Sequence, residues 1–488
     1  MHRPPGSKIE AMSAEFAQFP GDHSRPDRSR NPILAPLAGV VLVLPASVWF
    51  WGYTVDDALI TARVATHLAR GLGATFNPHG PPADAVTPLG YAQILSLLGQ
   101  RDVLHTFVYA KGFGLLAWLL AAGLLTRLIA SVGERALRFS PLAIVALSAP
   151  LAAWAVSGME TGFVTLLSTL GLLGGPWSAL FLGVASALRP ELVPFAWLLV
   201  IADARVKRTT GRRAALLVAC VIAPTAIVML TRLALFGRAV PLSFYAKPSD
   251  FAHGLRYALG AFAFTGLPWL LLASPREFQR LPRAACPLFL ALLAHGAALV
   301  LCGGDWMTLY RLAVPALPAT ALAAAHLAEH ARLAFAIPRF VLALAGSLLL
   351  AIGLGPSARR VGADRAQLIA SARPVLAHDA RIAALDVGWL GAASDAELID
   401  LAGVTDPQVA LFPGGHTSKR IPRPWLLARN PSAIVLLLAR GRELATPFEE
   451  SGFARAVEQR VATLVAADFQ VRTQLALGDQ TYVVLEPR

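Results

Sequence analysis

Apolar runs of membrane-spanning length recur from residue 33 to residue 354, and this pattern constrains the fold more than any other feature of the sequence. A run of about 20 apolar residues crosses a bilayer as a helix, because a helix satisfies its own backbone polar groups. The composition agrees, since 56% of the residues are hydrophobic and only 15% are charged. The sequence therefore predicts an all-α polytopic membrane bundle.

Basic residues between the apolar runs set the predicted topology, because cytoplasmic loops of membrane proteins carry an excess of Lys and Arg. The strongest cluster, which we place inside, is Arg205, Lys207, Arg208, Arg212 and Arg213. The pattern predicts about 11 transmembrane helices, with residues 89–98 re-entrant, the N-terminus inside and the C-terminus outside. The predicted spans are 33–50, 104–130, 140–157, 161–174, 177–188, a run after Glu191, 214–236, 255–273, 285–302, 312–330 and 338–354.

The chain divides into three predicted parts. Residues 1–32 are polar and rich in Pro and Arg, which predicts a disordered cytoplasmic tail. Residues 33–354 form the transmembrane module, in which residues 53–86 are the first extracytoplasmic loop. Residues 355–488 have the texture of a soluble α/β domain, which the topology places outside. Short buried strands are predicted in this domain at 381–385, 433–438 and 481–485.

The formal net charge of +13 is not a sign of nucleic-acid binding. The positive charges are spread over short loops, and no basic-aromatic module accompanies them. The three cysteines, Cys220, Cys286 and Cys302, lack metal-ligand spacing and read as packing residues. The sequence also lacks a Walker motif and a GxGxxG fingerprint. Residues that carry chemistry are therefore expected among the polar residues between the spans.

Two adjacent carboxylates, Asp56 and Asp57, follow the first span directly. Charge so close to hydrocarbon is costly unless it faces a polar cavity. Neighbouring carboxylates also repel, so the pKa of one tends to rise toward a value that suits a general base. The alternative is structural, because acidic residues also stabilise the start of a helix, here predicted from Asp57 to Arg70 and ending at Gly71 or Gly73.

Further polar motifs fall on the same predicted outer face as the Asp pair. They combine cations that suit phosphate, carboxylates that suit hydroxyls and aromatic rings that pack on sugars. Each has a structural alternative: a helix cap, an internal ion pair, a side chain reaching to the interface or an aromatic belt. His67 and His79 near the pair show no metal-ligand spacing. The candidates are Glu160, Arg189, Glu191, Tyr245, Lys247, Asp305, Trp306, Tyr310 and Arg311.

The chain resembles the GT-C glycosyltransferases, and most of all the bacterial branch that contains the mycobacterial terminal arabinofuranosyltransferase. The resemblance begins in the first loop, in the strings Val55 to Arg63, Leu68 to Gly73, Phe76 to Pro78 and Thr87 to Leu89. Later motifs follow in the same order, at Ser157 to Thr161, Arg189 to Glu191, Phe244 to Lys247, Gly303 to Met307, Asp386 to Gly391 and Ile399 to Asp406. Two departures are Leu59, where an aromatic residue is common, and the apolar stretch Pro81 to Val86.

The resemblance implies transfer of a sugar from a polyprenyl-phosphate carrier to a cell-envelope glycan, lipid or protein. It makes Asp57 and Asp56 the catalytic candidates, adds Arg63 to the substrate-binding candidates and suggests arabinofuranose as the sugar. It places the protein in the bacterial cytoplasmic membrane. The sequence does not identify a cofactor, and it leaves a divalent cation open. The rival hypothesis is a transporter or flippase of a lipid-linked sugar, which also needs intramembrane charges and interrupted helices.

Overall fold

The computed structural model describes residues 34–98, 102–264 and 272–488, apart from the side chains of residues 142, 146 and 147. The predicted tail, residues 1–32, and residues 265–271 of one predicted span lie outside the described residues. The protein is 65% helical. Among the described residues, five helical stretches are long and apolar enough to cross a membrane, namely Val103–Val132, Gly211–Phe236, Arg283–Leu301, Arg311–His330 and Leu333–Val375.

The N-terminal module consists of helices, and each predicted span coincides with one of them over its described part. In chain order the helices are α1 (Leu34–Trp49), α2 (Asp56–Ala69), α3 (Tyr91–Ser96), α4 (Val103–Val132), α5 (Glu134–Ala155), α6 (Thr161–Gly171), α7 (Pro176–Leu188), α8 (Val193–Val206), α9 (Gly211–Phe236), α10 (Leu242–Ala246), α11 (Phe251–Phe264), α12 (Pro275–Gln279), α13 (Cys286–Leu301), α14 (Leu317–His330) and α15 (Leu333–Gly353). Helices α6 and α7 have 11 and 13 residues, which is short for a bilayer.

The helices of the bundle alternate in direction and so define two ends. At one end, the turn between α4 and α5 is fastened to the turn after α14. The backbone N–H of Ala136 donates to Glu329 Oε2 at 3.0 Å, and Arg135 Nη1 donates to the carbonyl of Ala331 at 3.3 Å. Helix α8 begins at Val193, two residues after Glu191, and its C-terminal turn leads into the basic cluster around Lys207. The opposite end carries the Asp pair and the C-terminal domain.

The first loop contains the predicted helix, which is confirmed as α2. It begins at Asp56 and its C-cap is Arg70, followed by Gly71 with a φ of +80°, a left-handed conformation that glycine adopts without strain. Residues 89–98, predicted to be re-entrant, hold only the six-residue helix α3. At about 1.5 Å per residue this helix is far too short to run the length of the bundle.

The C-terminal domain contains a five-stranded sheet in the order β2-β1-β3-β5-β4. Strand β1 pairs in parallel with β2 and β3, whereas β5 pairs antiparallel with β3 and β4. The predicted strands are confirmed as β1, β3 and β5, and β2 and β4 complete the sheet. The elements are α16 (Gly355–Val375), β1 (Arg381–Ala384), α17 (Val387–Ala393), β2 (Glu397–Asp400), α18 (Pro407–Ala410), α19 (Arg423–Ala428), β3 (Ala433–Leu437), α20 (Ala456–Val465), β4 (Phe469–Leu477) and β5 (Gln480–Pro487).

The first loop and the C-terminal domain share one hydrophobic core. Leu59 and Val64 of α2 are buried together with Val387, Trp389 and Leu390 of α17. Burial of large apolar side chains from both partners favours a fixed contact, because each contributes roughly 1.5–3 kcal/mol when it leaves water. The C-terminal domain is therefore packed on the loop that carries the Asp pair.

Candidate active site

The two adjacent aspartates point to different places. Asp56 is buried and accepts hydrogen bonds from the backbone N–H groups of Gly388 at 2.7 Å and Trp389 at 2.9 Å. Burial raises the pKa of Asp56 to about 6, although Arg365 and the two backbone donors favour the ionised form. We expected repulsion between the aspartates to raise one pKa, and burial is instead the cause. Asp56 attaches α2 to α17.

Asp57 is one residue further along α2, so its side chain is turned by about 100° around the helix axis. It lines a cavity of about 140 Å³ between the bundle and the C-terminal domain. Its Oδ2 atom lies 4.0 Å from Lys247 Nζ and 3.9 Å from Arg311 Nη1. Both distances exceed a hydrogen bond. The carboxylate of Asp57 is therefore held between two cations and keeps room to accept a further hydrogen bond.

Arg311 is the most constrained cation of the cavity. Its Nε atom lies 2.8 Å from Asp305 Oδ2, and its guanidinium carbon is 5.6 Å from the ring centroid of Trp154. Burial alone would raise the pKa of Asp305, but Arg311, Lys247 and Arg189 hold the pKa of that carboxyl below its usual range. Asp305 is therefore ionised at neutral pH and orients Arg311 toward Asp57.

A second buried ion pair lies behind the cavity wall. Arg189 pairs with Glu160, which is fully buried, and its Nη1 atom is 3.7 Å from Glu191 Oε1. Glu160 precedes α6 but forms no side-chain capping bond, so the capping alternative does not apply to it. The internal pairing considered for Arg189 and Glu191 does occur. Arg189 and Glu191 also line the cavity, so the internal ion pair and a role in substrate binding are compatible for these two residues.

The rim of the cavity brings residues of both domains together. Lys247, which follows α10, lies 5.7 Å from the ring centroid of Trp306, and the Trp306 ring is 5.8 Å from that of His416 in the C-terminal domain. Burial, together with the nearby charge of Lys247, lowers the pKa of His416 to about 4. The imidazole is therefore neutral at pH 7. Val404 of the same domain lines the cavity itself.

Six of the predicted site residues line this one cavity, although they are spread over about 250 positions of the sequence. They are Asp57, Arg189, Glu191, Lys247, Asp305 and Arg311. Trp306 lies at the rim, as described above, and Glu160 holds Arg189 from behind. Residues that the topology predicted on the same face therefore lie close together in the structure.

Four predicted residues lie elsewhere. Asp56, as described, faces Gly388. Arg63 is buried and donates four hydrogen bonds of 2.8–2.9 Å to the carbonyls of Phe76, Gly391, Ser394 and Ala396, so it joins the loop to the C-terminal domain rather than facing the cavity. The ring of Tyr310 packs edge-on against Tyr257 at 5.5 Å. Tyr245 is partly exposed and lies under the guanidinium of Arg238 at 5.9 Å.

Several lining residues escaped the sequence analysis. The most informative is Asp84, whose two carboxylate oxygens are each 3.2 Å from Arg232 Nε and which also accepts from the N–H of Leu242 at 3.1 Å. The polar Asp84 within an otherwise apolar stretch was the available signal. Thr87 and Ser243, whose hydroxyls are 3.0 Å apart, lie in or next to the strings that carry the family resemblance but were not singled out as site residues. The other missed lining residues with polar or sulfur-containing side chains are Thr61, Met159 and Cys302.

The acidic residues of the cavity do not form a good cation site. Asp305, Glu191 and Asp84 each face an arginine, and Asp57 faces Lys247 and Arg311, so every carboxylate has a positive neighbour. Within the described ranges, no group of three or more His, Cys, Asp or Glu side chains is arranged to hold a metal ion. The divalent cation that the sequence left open stays a prediction.

Comparison with known proteins bears only on the C-terminal domain. A family model described as a domain of unknown function (DUF8728) matches residues 360–485, from within α16 to within β5. No curated protein and no solved structure matches the chain. The matched segment includes the motif Asp386 to Gly391, whose backbone holds Asp56. Arguments about activity therefore depend on the geometry of the cavity.

Proposed function

We propose that this protein is a membrane glycosyltransferase of the GT-C type. It transfers a sugar, arabinofuranose being the candidate from the family resemblance, from a polyprenyl-phosphate donor to a cell-envelope glycan, lipid or protein. The observation that carries the proposal is the position of Asp57, whose carboxylate faces a cavity with Lys247 and Arg311 within 4.0 Å. A base next to two cations suits transfer from a phosphate-linked donor, because the base activates the acceptor hydroxyl and the cations stabilise the charge on the departing phosphate.

Asp57 acts as the general base in the proposed reaction. It removes the proton from an acceptor hydroxyl while that oxygen attacks the anomeric carbon of the donor sugar. The bond between the anomeric carbon and the phosphate oxygen breaks, and polyprenyl phosphate leaves with the electron pair. A single displacement of this kind inverts the anomeric configuration. The cavity volume of about 140 Å³ is consistent with one sugar ring, since a cavity of about 150 Å³ accommodates benzene.

Lys247 and Arg311 stabilise the charge that develops on the departing phosphate. Arg311 is preorganised by Asp305 and by the face of Trp154, so little reorganisation accompanies the reaction. Lys247 lies nearer the rim, and 24% of its side chain is exposed. We assign Arg311 to the transition state and Lys247 to capture of the donor phosphate.

The acceptor approaches from the rim formed with the C-terminal domain. Trp306 offers a ring face there, and the neutral imidazole of His416 is both a hydrogen-bond donor and an acceptor. These groups suit sugar hydroxyls and the apolar faces of sugar rings. The C-terminal domain would then select the acceptor, whereas the bundle binds the donor.

The proposed topology has about 11 crossings, with the cavity and C-terminal domain outside the bacterial cytoplasmic membrane. Its support is the distribution of charge between the two ends of the bundle. The loop around Lys207 lies one length of α8 from the cavity residue Glu191, about 21 Å for a 14-residue helix. The positive-inside tendency then puts the cavity at the outer face.

The test is incubation of membranes containing the protein with radiolabelled polyprenyl-phosphate sugars, followed by analysis of the products. A glycosyltransferase forms a new glycosidic bond and releases polyprenyl phosphate, and Asp57→Asn abolishes both. A flippase of a lipid-linked sugar leaves the sugar on its carrier and changes only the leaflet in which the lipid resides. Translocation without bond formation would overturn the proposed function in favour of transport.

A further inference from the structure

A second cavity, of about 350 Å³, lies at the outer end of α1 and is separate from the candidate active site. Its walls are the apolar side chains of Leu44 and Val48 from α1 and Leu115 from α4, and Trp49, Trp51 and Arg359 surround its outer end. We call it the α1 slot. Its volume falls at the lower end of the roughly 300–1,000 Å³ of small-molecule pockets.

Arg359 brings a positive charge to the polar end of the α1 slot, whereas Lys111 is not among the residues that line it. The Arg359 guanidinium carbon lies 4.3 Å from the ring centroid of Trp49, and Lys111 Nζ lies 5.2 Å from that of Trp51. Lys111 is buried and donates a hydrogen bond to the carbonyl of Tyr53 at 2.8 Å. In the part of the chain that the structure describes, neither cation forms a salt bridge with a carboxylate.

The geometry points to an anionic glycerophospholipid as the occupant of the α1 slot. Its phosphate would pair with Arg359, and one acyl chain would lie along Leu44, Val48 and Leu115. In the proposed topology the outer leaflet surrounds this end of α1, where 70% of Val48 and 42% of Trp51 are exposed. Paired tryptophans at this height are typical of the membrane interface, where lipid phosphates lie. An arginine contact with phosphate is a strong, charge-assisted interaction.

The charges also explain why an anionic lipid is favoured over a zwitterionic one. The ammonium group of a zwitterionic headgroup needs a carboxylate or a free aromatic face. Among the described residues, no carboxylate lines the slot. The rings of Trp49 and Trp51 are already in contact with Arg359 and Lys111, respectively. A headgroup with net negative charge meets only attraction there.

The experiment measures lipid binding by the full chain in nanodiscs of phosphatidylcholine that contain either phosphatidylglycerol or additional phosphatidylcholine, each with brominated acyl chains. The chain has ten tryptophans, so occupancy next to Trp49 and Trp51 is read from the part of the fluorescence quenching that a variant of the slot removes. Arg359→Met removes the proposed phosphate contact, and Arg360→Met is the matched control because Arg360 is adjacent but does not line the slot. Leu115→Phe narrows the acyl-chain part while Arg359 stays intact and no new tryptophan is added.

We expect stronger quenching with brominated phosphatidylglycerol than with brominated phosphatidylcholine in the wild type and in Arg360→Met. Arg359→Met should weaken the phosphatidylglycerol affinity by on the order of tenfold, as loss of one charged hydrogen bond does. Leu115→Phe should reduce quenching by both lipids. Equal quenching by the two lipids in the wild type, or an unchanged Arg359→Met, would overturn the inference. Neither outcome touches the glycosyltransferase proposal, because the α1 slot shares no lining residue with the candidate active site.

Discussion

Asp56 and Asp57 are neighbours in the chain, yet their carboxylates have different surroundings. Asp56 accepts two backbone hydrogen bonds from the C-terminal domain, at 2.7 and 2.9 Å, and Asp57 faces a cavity between Lys247 and Arg311. The two residues therefore have different roles. One carboxylate fixes the position of the helix, and the helix in turn fixes the position of the other carboxylate.

Asp57→Asn should remove the proposed base without disturbing the fold. The amide has almost the same size as the carboxylate, and 28% of the Asp57 side chain is exposed, so little packing is lost. We expect turnover to fall on the order of a hundredfold or more and the melting temperature to stay near that of the wild type. Transfer assays and thermal melts on the same preparations check this. Near-normal transfer by Asp57→Asn would remove Asp57 from the proposed mechanism.

Asp56→Asn should have the opposite effect. The asparagine has only one carbonyl oxygen for the two N–H groups of Gly388 and Trp389, and its NH2 group faces a second donor. Loss of a hydrogen bond to a charged group costs roughly 1.5–3 kcal/mol, so the melting temperature should fall by several degrees. Cleavage in the first loop during limited proteolysis should become faster. A normal melting temperature combined with abolished transfer would instead indicate a direct catalytic role for Asp56.

His416 makes stability depend on pH in a defined window. Burial lowers the pKa of His416 from 6.5 to about 4, so the unfolded chain binds the proton more tightly than the folded protein between these values. The contribution is fully present above pH 6.5 and is lost as the pH falls toward 4. His416→Gln cannot titrate. Between pH 7 and pH 4.5, the wild type should therefore lose more melting temperature than His416→Gln, and parallel curves would contradict the assignment.

The topology predicts opposite locations for two reporters. A reporter fused after Arg488 should be extracytoplasmic, and one inserted beside Arg208 should be cytoplasmic, because the basic cluster marks the inner end of the bundle. Alkaline phosphatase and green fluorescent protein fusions at both sites measure this directly. If the reporter after Arg488 is cytoplasmic, the candidate active site lies on the wrong face for a polyprenyl-phosphate donor outside the membrane.

Local sequence patterns predicted the local structure well. The apolar runs correspond to helices, Gly71 follows the end of α2, and three apolar segments form β1, β3 and β5. Strand β4 was not predicted, because much of its length is exposed and its side chains do not show an apolar run. Strand β2 is as short as β1, but it was not predicted because Glu397 and Asp400 at its two ends leave only two apolar residues between them.

The division of labour within the first loop could not be predicted, because it depends on contacts across more than 300 positions. Arg63 donates to the carbonyls of Gly391 and Ser394. The side-chain amide of Asn77 donates through Nδ2 to the carbonyl of Leu398 at 3.0 Å and accepts through Oδ1 from the N–H of Leu398 at 2.9 Å. The motifs of the loop and of the C-terminal domain are two halves of one interface. A sequence motif indicates that its residues are needed. Only their contacts in the structure show whether a residue joins the loop to the C-terminal domain or takes part in the reaction.

Arg311 and Asp305 offer the sharpest test of the phosphate-binding role. Arg311→Met leaves Asp305 buried without its cation, and breaking such a pair costs about 3–5 kcal/mol. The single variant should therefore lose both stability and transfer, which alone cannot separate the two roles. Arg311→Met combined with Asp305→Asn removes the isolated charge as well, so stability should largely return while transfer stays low.

Lys247→Met is the matched comparison, because Lys247 lies 4.0 Å from Asp57 and forms no close ion pair within the described ranges. Its melting temperature should barely change, and donor affinity should fall because one phosphate contact is lost. Donor titrations and melts on Lys247→Met and on the Arg311→Met/Asp305→Asn double variant complete the test. If transfer recovered together with stability in the double variant, Arg311 would be a structural partner of Asp305, and the leaving phosphate would have to be stabilised by Lys247 and Arg189 instead.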